Sequence, residues 1–409
     1  MLRHWKDLRH LPRAMWVLFA TTLTNRVGSM VMPFLVLYLI KSLGFSASRA
    51  AFVLLAYGLG AIVAGPISGL LSDRIGPVRL MEASLFLSGA VLLAYPLAQS
   101  YAAVLAMTVV LSAVTEGFRP ASMALLGATV PPPQRKAAFS LYRLAINLGM
   151  SVGPALGGFL ATVSFRYLFF VDGATSIAAG VVLVASSLKV EPAPRSPGAA
   201  HFAWPRAHLD GRFLFFLAAL LPVMLVFFQH LSAMSLWIVR DHRLPESTFG
   251  LLFSINTLLI VLLEVPLNVA TAHWPHRRTL FLGALLSGAG FGSMAFASSV
   301  WAFAATVVVW TFGEMFFFPA SAAYVADVST PDRRGEYSGL FAMSFSLAFS
   351  VGPWAGTLVL DRFGGNVLWG AAFLLGLLAA AMMLRLPEPT RQVEASAPEM
   401  PDAAGPAAV

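Results

Sequence analysis

The sequence predicts an all-α membrane protein of two six-helix bundles, and three observations carry that prediction. Of 409 residues, 58% are hydrophobic and only 11% charged, whereas about a quarter of the residues of a soluble domain are charged. Twelve apolar runs reach the roughly 20 residues that cross a hydrocarbon core. They lie near 14–41, 49–71, 78–97, 102–129, 137–163, 167–188, 213–239, 248–271, 279–298, 301–327, 336–360 and 366–385. Finally, the run Gly149-Met-Ser-Val-Gly153-Pro154-Ala-Leu-Gly157-Gly158 returns 199 residues later as Val351-Gly352-Pro353-Trp354-Ala355-Gly356. The chain is read as built twice.

The net charge of +8 raises the question of nucleic acid, and the placement of the charges answers it. With the N-terminus inside, eighteen Lys and Arg fall in cytoplasmic segments, six fall outside and three lie within helices. That asymmetry is the positive-inside pattern of a membrane protein with both termini cytoplasmic, so no nucleic-acid partner is expected. The chain has no cysteine, which excludes disulfides and cysteine metal sites. Residues 1–13 are basic and lead into an apolar run longer than a signal-peptide core, so the first segment is read as a retained helix. The expected organisation is a cytoplasmic N-terminus (1–13), a first bundle (14–188), a linker rich in Pro, Ala, His and charge (189–212), a second bundle (213–386) and a disordered cytoplasmic tail (387–409).

Along the chain, the first segment carries Asn25 and Arg26 near its midpoint, followed by Gly28 and Pro33. A charge at that depth faces either a water-filled cavity or a partner carboxylate. The second segment ends in Gly69-Leu-Leu-Ser-Asp73-Arg74-Ile-Gly76-Pro77-Val78-Arg79. This loop resembles the Gly-x-Leu-x-Asp-Arg-x-Gly-Arg-Lys signature of the major facilitator superfamily, with Pro77 and Val78 in the two basic positions and Arg79 as their surrogate. The resemblance implies two six-helix bundles related by pseudo-twofold symmetry. It also implies that Asp73 and Arg74 belong to a charge cluster that holds the outward-open state and breaks as the halves rock.

The fourth segment holds Glu116 and Arg119, one helical turn apart and able to pair on one face. They are read either as a proton site or as a permanent ion pair. The fifth segment brings Arg143, Asn147 and the glycine stripe. Glycines four apart let helices approach closely, and Pro154 can bend the helix. Gly-x-x-x-Gly-Pro-x-x-Gly-Gly at this place resembles the antiporter motif found mainly among exporters of the superfamily, with Gly149, Gly153, Pro154, Gly157 and Gly158 in its five fixed positions. Asp172 is a further intramembrane acid in the sixth segment, near its outer end, where water alone could satisfy it. An ungapped shift of 199 also maps Pro120-Ala121-Ser122 onto Pro319-Ala320-Ser321 and Arg135 onto Arg334, as parallel repeats require. In the second half Gln229 and His230, Glu264 and Glu314 stand in segments seven, eight and ten. Glu314 falls within one position of the repeat equivalent of Glu116, so the two acids would face one central cavity if both turn inward. No second His or acid has ligand spacing beside His230, so no metal is expected. Aromatic and Met residues crowd segments seven, ten and eleven. They suit a promiscuous ligand surface, or they pack and face lipid.

The expected function is that of a secondary transporter in a bacterial inner or plasma membrane, exporting amphipathic or lipophilic small molecules in exchange for protons by alternating access. Glu116, Glu264, Glu314 and Asp172 are the candidate proton sites; Arg26 and Arg119 tune them. A carrier of one solute, such as an organic anion, siderophore or sugar, is the alternative. No cofactor is expected beyond the proton gradient. Substrate, protons and lipid are the expected partners, and one chain, as a monomer, already supplies both halves. No enzyme constellation can be assembled from these residues.

Overall fold

The structure, a computed structural model, describes residues 11–131, 134–188, 190, 210–329 and 333–387. Most of the expected linker and nearly all of the expected tail lie outside the described residues. All regular structure among the described residues is helical, and twelve helices are long and apolar enough to span a membrane. They are α1 (Arg13–Lys41), α2 (Ala47–Ile75), α3 (Pro77–Leu97), α4 (Tyr101–Thr129), α5 (Arg135–Val163) and α6 (Arg166–Ala185), followed by α7 (Gly211–Leu231), α8 (Glu246–Ala270), α9 (His276–Phe296), α10 (Val300–Val328), α11 (Arg334–Phe363) and α12 (Gly365–Met383). The face carrying Leu11 and Pro387 is called the terminal face below, and the opposite one the far face.

Three of the apolar runs are not single helices. α1 is broken between Val27 and Val31, and α4 is interrupted at Glu116-Gly117, whose backbone angles stay right-handed helical. The seventh run, which reads as one segment to 239, is an α-helix only to Phe227. A 3-10 turn over Phe228–Leu231, a short helix over Ala233–Leu236 and a π turn over Trp237–Asp241 follow. The break at Ser232 has partners to hold it: Gln229 donates to the Gly352 carbonyl (2.8 Å) and Ser232 to the Pro353 carbonyl (3.1 Å) of α11. Hydropathy reports that a run is apolar, and these side-chain bonds to a helix far along the chain are invisible to it.

The packing of the buried side chains defines the state of the molecule. On the far face a single apolar cluster joins both halves, with Phe34 and Leu37 of α1, Tyr57 of α2 and Phe169 of α6 packed with Phe249 of α8, Trp310 of α10 and Trp369 of α12. On the terminal face there are two clusters. One belongs to the first half, around Met15, Met81 and Leu125, and the other to the second, around Phe213, Phe317 and Tyr324. Lys41 and Glu246 add an ion pair of 2.6 Å between the halves at the far face. The molecule is therefore closed at the far face and divided into two lobes at the terminal face.

Asp210 fastens the second lobe. It caps α7 by accepting from the Arg212 and Phe213 amides (3.0 and 3.3 Å) and accepts from the Tyr337 hydroxyl of α11 (2.8 Å). Burial alone would lift its pKa; the Tyr337 hydroxyl and the two amides outweigh burial and hold it below the ordinary carboxylate range. A depressed folded-state pKa contributes stability that is present above the unfolded pKa and lost as pH falls through the folded one. Asp210→Ala should cost about 1 kcal/mol near neutrality and less in acid. Thermal unfolding of the purified chain and the variant across the acidic range measures this.

Candidate translocation site

The break in α1 is gripped from two sides. On one side stands the glycine stripe of α5. A side-chain carbon at Gly153 would meet the carbonyl oxygens of Val27 (2.9 Å), Arg26 (3.0 Å) and Ser29 (3.3 Å), one at Gly157 would meet Met30, and one at Gly149 would collide with Arg26. Only glycines let α5 lie on exposed α1 backbone this closely. On the other side stands Asp172 of α6, only 8% exposed, whose Oδ2 accepts from the amides of Met30 (3.2 Å) and Val31 (3.1 Å). A helix start has unpaired N–H groups and partial positive charge, and a carboxylate answers both. The sequence places Asp172 within reach of water, whereas the structure buries it. Pro33, in the first turn of the second α1 segment, is the sequence signal that could have revealed a helix restart there.

Asn25, Arg26, Asp172 and Ser176 line a cavity of about 170 Å³ together with Tyr57 of α2 and Thr115 of α4. Asn25 donates to Ser176 (3.1 Å), and Tyr57 and Thr115 are hydrogen-bonded (3.1 Å). The buried Arg26 Nε has no hydrogen-bond partner among the described residues. Glu116 and Arg119, on either side of the interruption in α4, form no ion pair with each other although their spacing allows one. Arg119 is exposed and Glu116 half-buried.

The second polar centre joins the halves. Arg143 of α5 binds both oxygens of Glu264 of α8, at 2.5 and 2.7 Å; the Arg143 side chain is 53% exposed and that of Glu264 12%. Glu314 of α10 is held by Asn256 of α8 (2.8 Å), which also donates to Thr311 (3.0 Å). The sequence reading missed Asn256, although an amide inside an apolar run two turns before an acid was a usable signal. Toward the far face the same two helices touch backbone to backbone. A side-chain carbon at Gly158 would lie 2.8 Å from the Glu246 carbonyl oxygen and 3.2 Å from the Gly250 Cα.

The remaining expected residues are spread differently. Asn147 is half-buried on α5. Gln229 and His230 are buried: the first is committed to the Leu225 and Gly352 carbonyls, the second to the Phe227 carbonyl (2.6 Å) and to a ring stack on Trp310. At the terminal face Asp73, Arg74 and Arg79 are exposed, without ion pairs among the described residues, and Gly76 turns the chain with φ at +90°. A larger groove of about 630 Å³, almost wholly apolar, runs between α2, α3 and α4.

Two six-helix halves closed at one face, parted at the other, with charged side chains at their junction, define the class of a membrane carrier. The chain belongs to the Major Facilitator Superfamily, whose profile matches residues 17–239 and 230–407. It is 25% identical to the uncharacterized MFS-type transporter YqjV of Bacillus subtilis (94% of each chain covered). It is 23% identical to a Na(+), Li(+), K(+)/H(+) antiporter of Planococcus maritimus (79% of this chain, 84% of the relative). It is 25% identical to the multidrug resistance protein MdtH of Aeromonas hydrophila (86% and 93%). Among solved structures, the peptide transporter POT in complex with sulfate superposes with a TM-score of 0.76 at 17% identity, over 94% of this chain and 99% of that one. The structural likeness concerns the fold.

Proposed function

We infer that this chain exports amphipathic or lipophilic small molecules in exchange for protons. The observation that carries the reading is the Arg143–Glu264 pair, a titratable carboxylate bound to a cation across the two halves. An acid in that position can hold either the arginine or a proton. Taking up a proton frees Arg143 and loosens the tie between α5 and α8, which links protonation to the rocking of the halves. Glu314, kept nearby by Asn256, is the second acid of this centre.

Other features support the same reading. The eighteen-to-six split of basic residues supports a cytoplasmic terminal face, so the parted lobes would receive substrate from the cytoplasm. The aromatic surface of Phe227, Phe318, Phe345 and Phe349 suits flat apolar ligands. The names of the Planococcus and Aeromonas relatives speak of proton antiport and multidrug resistance, and the glycine stripe resembles the exporters' motif. The exposed Arg119 favours the second reading, a dedicated carrier of an organic anion, while neutralisation of Arg143 by Glu264 weakens it.

The test is accumulation of a lipophilic cationic dye in efflux-deficient cells expressing the chain. Accumulation should fall, and a protonophore should restore it. Accumulation equal to the empty vector would move the search to organic anions. Asp73→Asn should abolish the fall at unchanged membrane levels, because the exposed Asp73 makes no ion pair among the described residues and, as the loop's resemblance implies, would serve the opposite state.

A further inference from the structure

The two halves repeat the same device with one difference. In the first half the broken α1 lies on the α5 glycines, and the broken end is capped by Asp172 of α6. In the second half the broken α7 lies on the equivalent α11 glycines: Gly352 faces Leu225 and Phe228, and Gly356 faces Gln229. The residue 199 positions after Asp172 is Ala371. There the break is held by Gln229 and Ser232, which bond the Gly352 and Pro353 carbonyls and cannot titrate. One break thus depends on a carboxylate and the other does not.

We propose that Asp172 is a proton-operated catch for the far segment of α1, Val31–Lys41, and that the first half alone carries this catch. As a carboxylate it holds the Met30 and Val31 amides through charge-assisted bonds, which are stronger than bonds to a neutral acceptor. A proton taken from water neutralises the oxygens and weakens both bonds, and the segment is free to pivot on the glycine stripe. The groups facing the carboxyl are few. Arg26 comes from α1 and Tyr57 from α2, and the same cavity receives Ser84 and Ser88 from α3. Across it, Glu116 of α4 shares the field of Arg26, while α5 presents glycines. Arg26, which lines the same cavity, is the cation that faces the carboxyl.

The consequence for transport is a link between proton uptake and the far-face closure. The segment that Asp172 holds carries Phe34 into the core shared by the halves, where it packs edge-on against Phe249 of α8 (centroids 5.2 Å apart), and ends at Lys41, which pairs with Glu246. Releasing the cap therefore loosens that closure from the first half. The proposal deepens the proton-coupled reading and rests on it. The hinge can nevertheless be read without substrate, so the failure of one is distinguishable from the failure of the other.

The absence of cysteine makes site-specific labelling clean. Spin labels on Ser42→Cys and Ala102→Cys, both exposed, report α1 against α4 within the same half. Between about pH 9 and about pH 5, a range that brackets buried carboxylates, the distance should shift by on the order of 2 Å, the scale of helix displacements. Asp172→Asn should show the acid distance at both pH values, and Asp172→Glu should keep the pH response. A wild-type distance independent of pH, or a pH response surviving in Asp172→Asn, overturns the proposal. Hydrogen exchange of the unlabelled wild-type chain reads the catch without any variant. Protection of the Met30 and Val31 amides, corrected for intrinsic exchange, should fall in acid while the α7 turn keeps its protection. Equal loss at both breaks, or no loss at either, overturns the proposal as well.

Discussion

Glu264→Gln is expected to stop proton-driven transport in a chain that still folds. Because the Arg143 side chain is 53% exposed, water solvates the orphaned arginine, and the lost pair costs about 1 kcal/mol or less rather than the several expected of a fully buried one. Function should suffer far more. Gln can still accept a hydrogen bond but cannot exchange a proton, so transport driven by a pH gradient into proteoliposomes should fall about tenfold or more. Arg143→Ala should leave transport running but less dependent on the gradient, since the acid is then never held by its cation. Gradient-driven uptake retained in Glu264→Gln would remove this acid from the coupling mechanism, and Glu314 would be the next to test.

A second large effect is expected where α5 and α8 meet. Gly158→Val places branched carbons where the Glu246 carbonyl, Ser247 Cα and Gly250 Cα already stand within 3.2 Å of the first one. All three are backbone atoms, which cannot rotate aside, so overpacking of about 1–3 kcal/mol falls on the closed far face. The equilibrium between states should move by about one to two powers of ten toward the far-open form. Labelling of a cysteine placed near the far-face mouth should accelerate, and transport should fall because the far-closed state is scarce. An unchanged labelling rate would mean that the helices separate locally without opening the face.

These two sites show how far a single sequence reaches. The twelve spans follow from hydropathy because a lipid environment demands about 20 apolar residues per helix whatever the neighbours do. The stripe from Gly149 to Gly158 was legible because small residues have few other uses at four-residue spacing. What stayed hidden were pairings between distant positions: Asp172 with Met30, 142 residues apart, Arg143 with Glu264, 121 apart, and Asn256 with Glu314, 58 apart. Each residue could be marked as costly in a membrane, yet nothing in its own neighbourhood names the partner that offsets the cost. Local spacing also misled for Glu116 and Arg119, since one-turn spacing makes a pair possible while an exposed arginine gains little by forming it.

Finally, some glycines touch none of the described residues. Carbon atoms added at Gly65 and Gly69 of α2, or at Gly335 and Gly339 of α11, would enter open space, while Gly58 higher on α2 is pressed against Ser350 of α11. Substitutions at those four positions therefore meet no neighbour in the state described here, and a melting experiment on it would register only the change in helix propensity. Any penalty must fall on a conformation in which the terminal ends of α2 and α11 come together. Tolerance to mutation in this chain is thus a property of one half of its working cycle, and turnover is the assay that samples the other half.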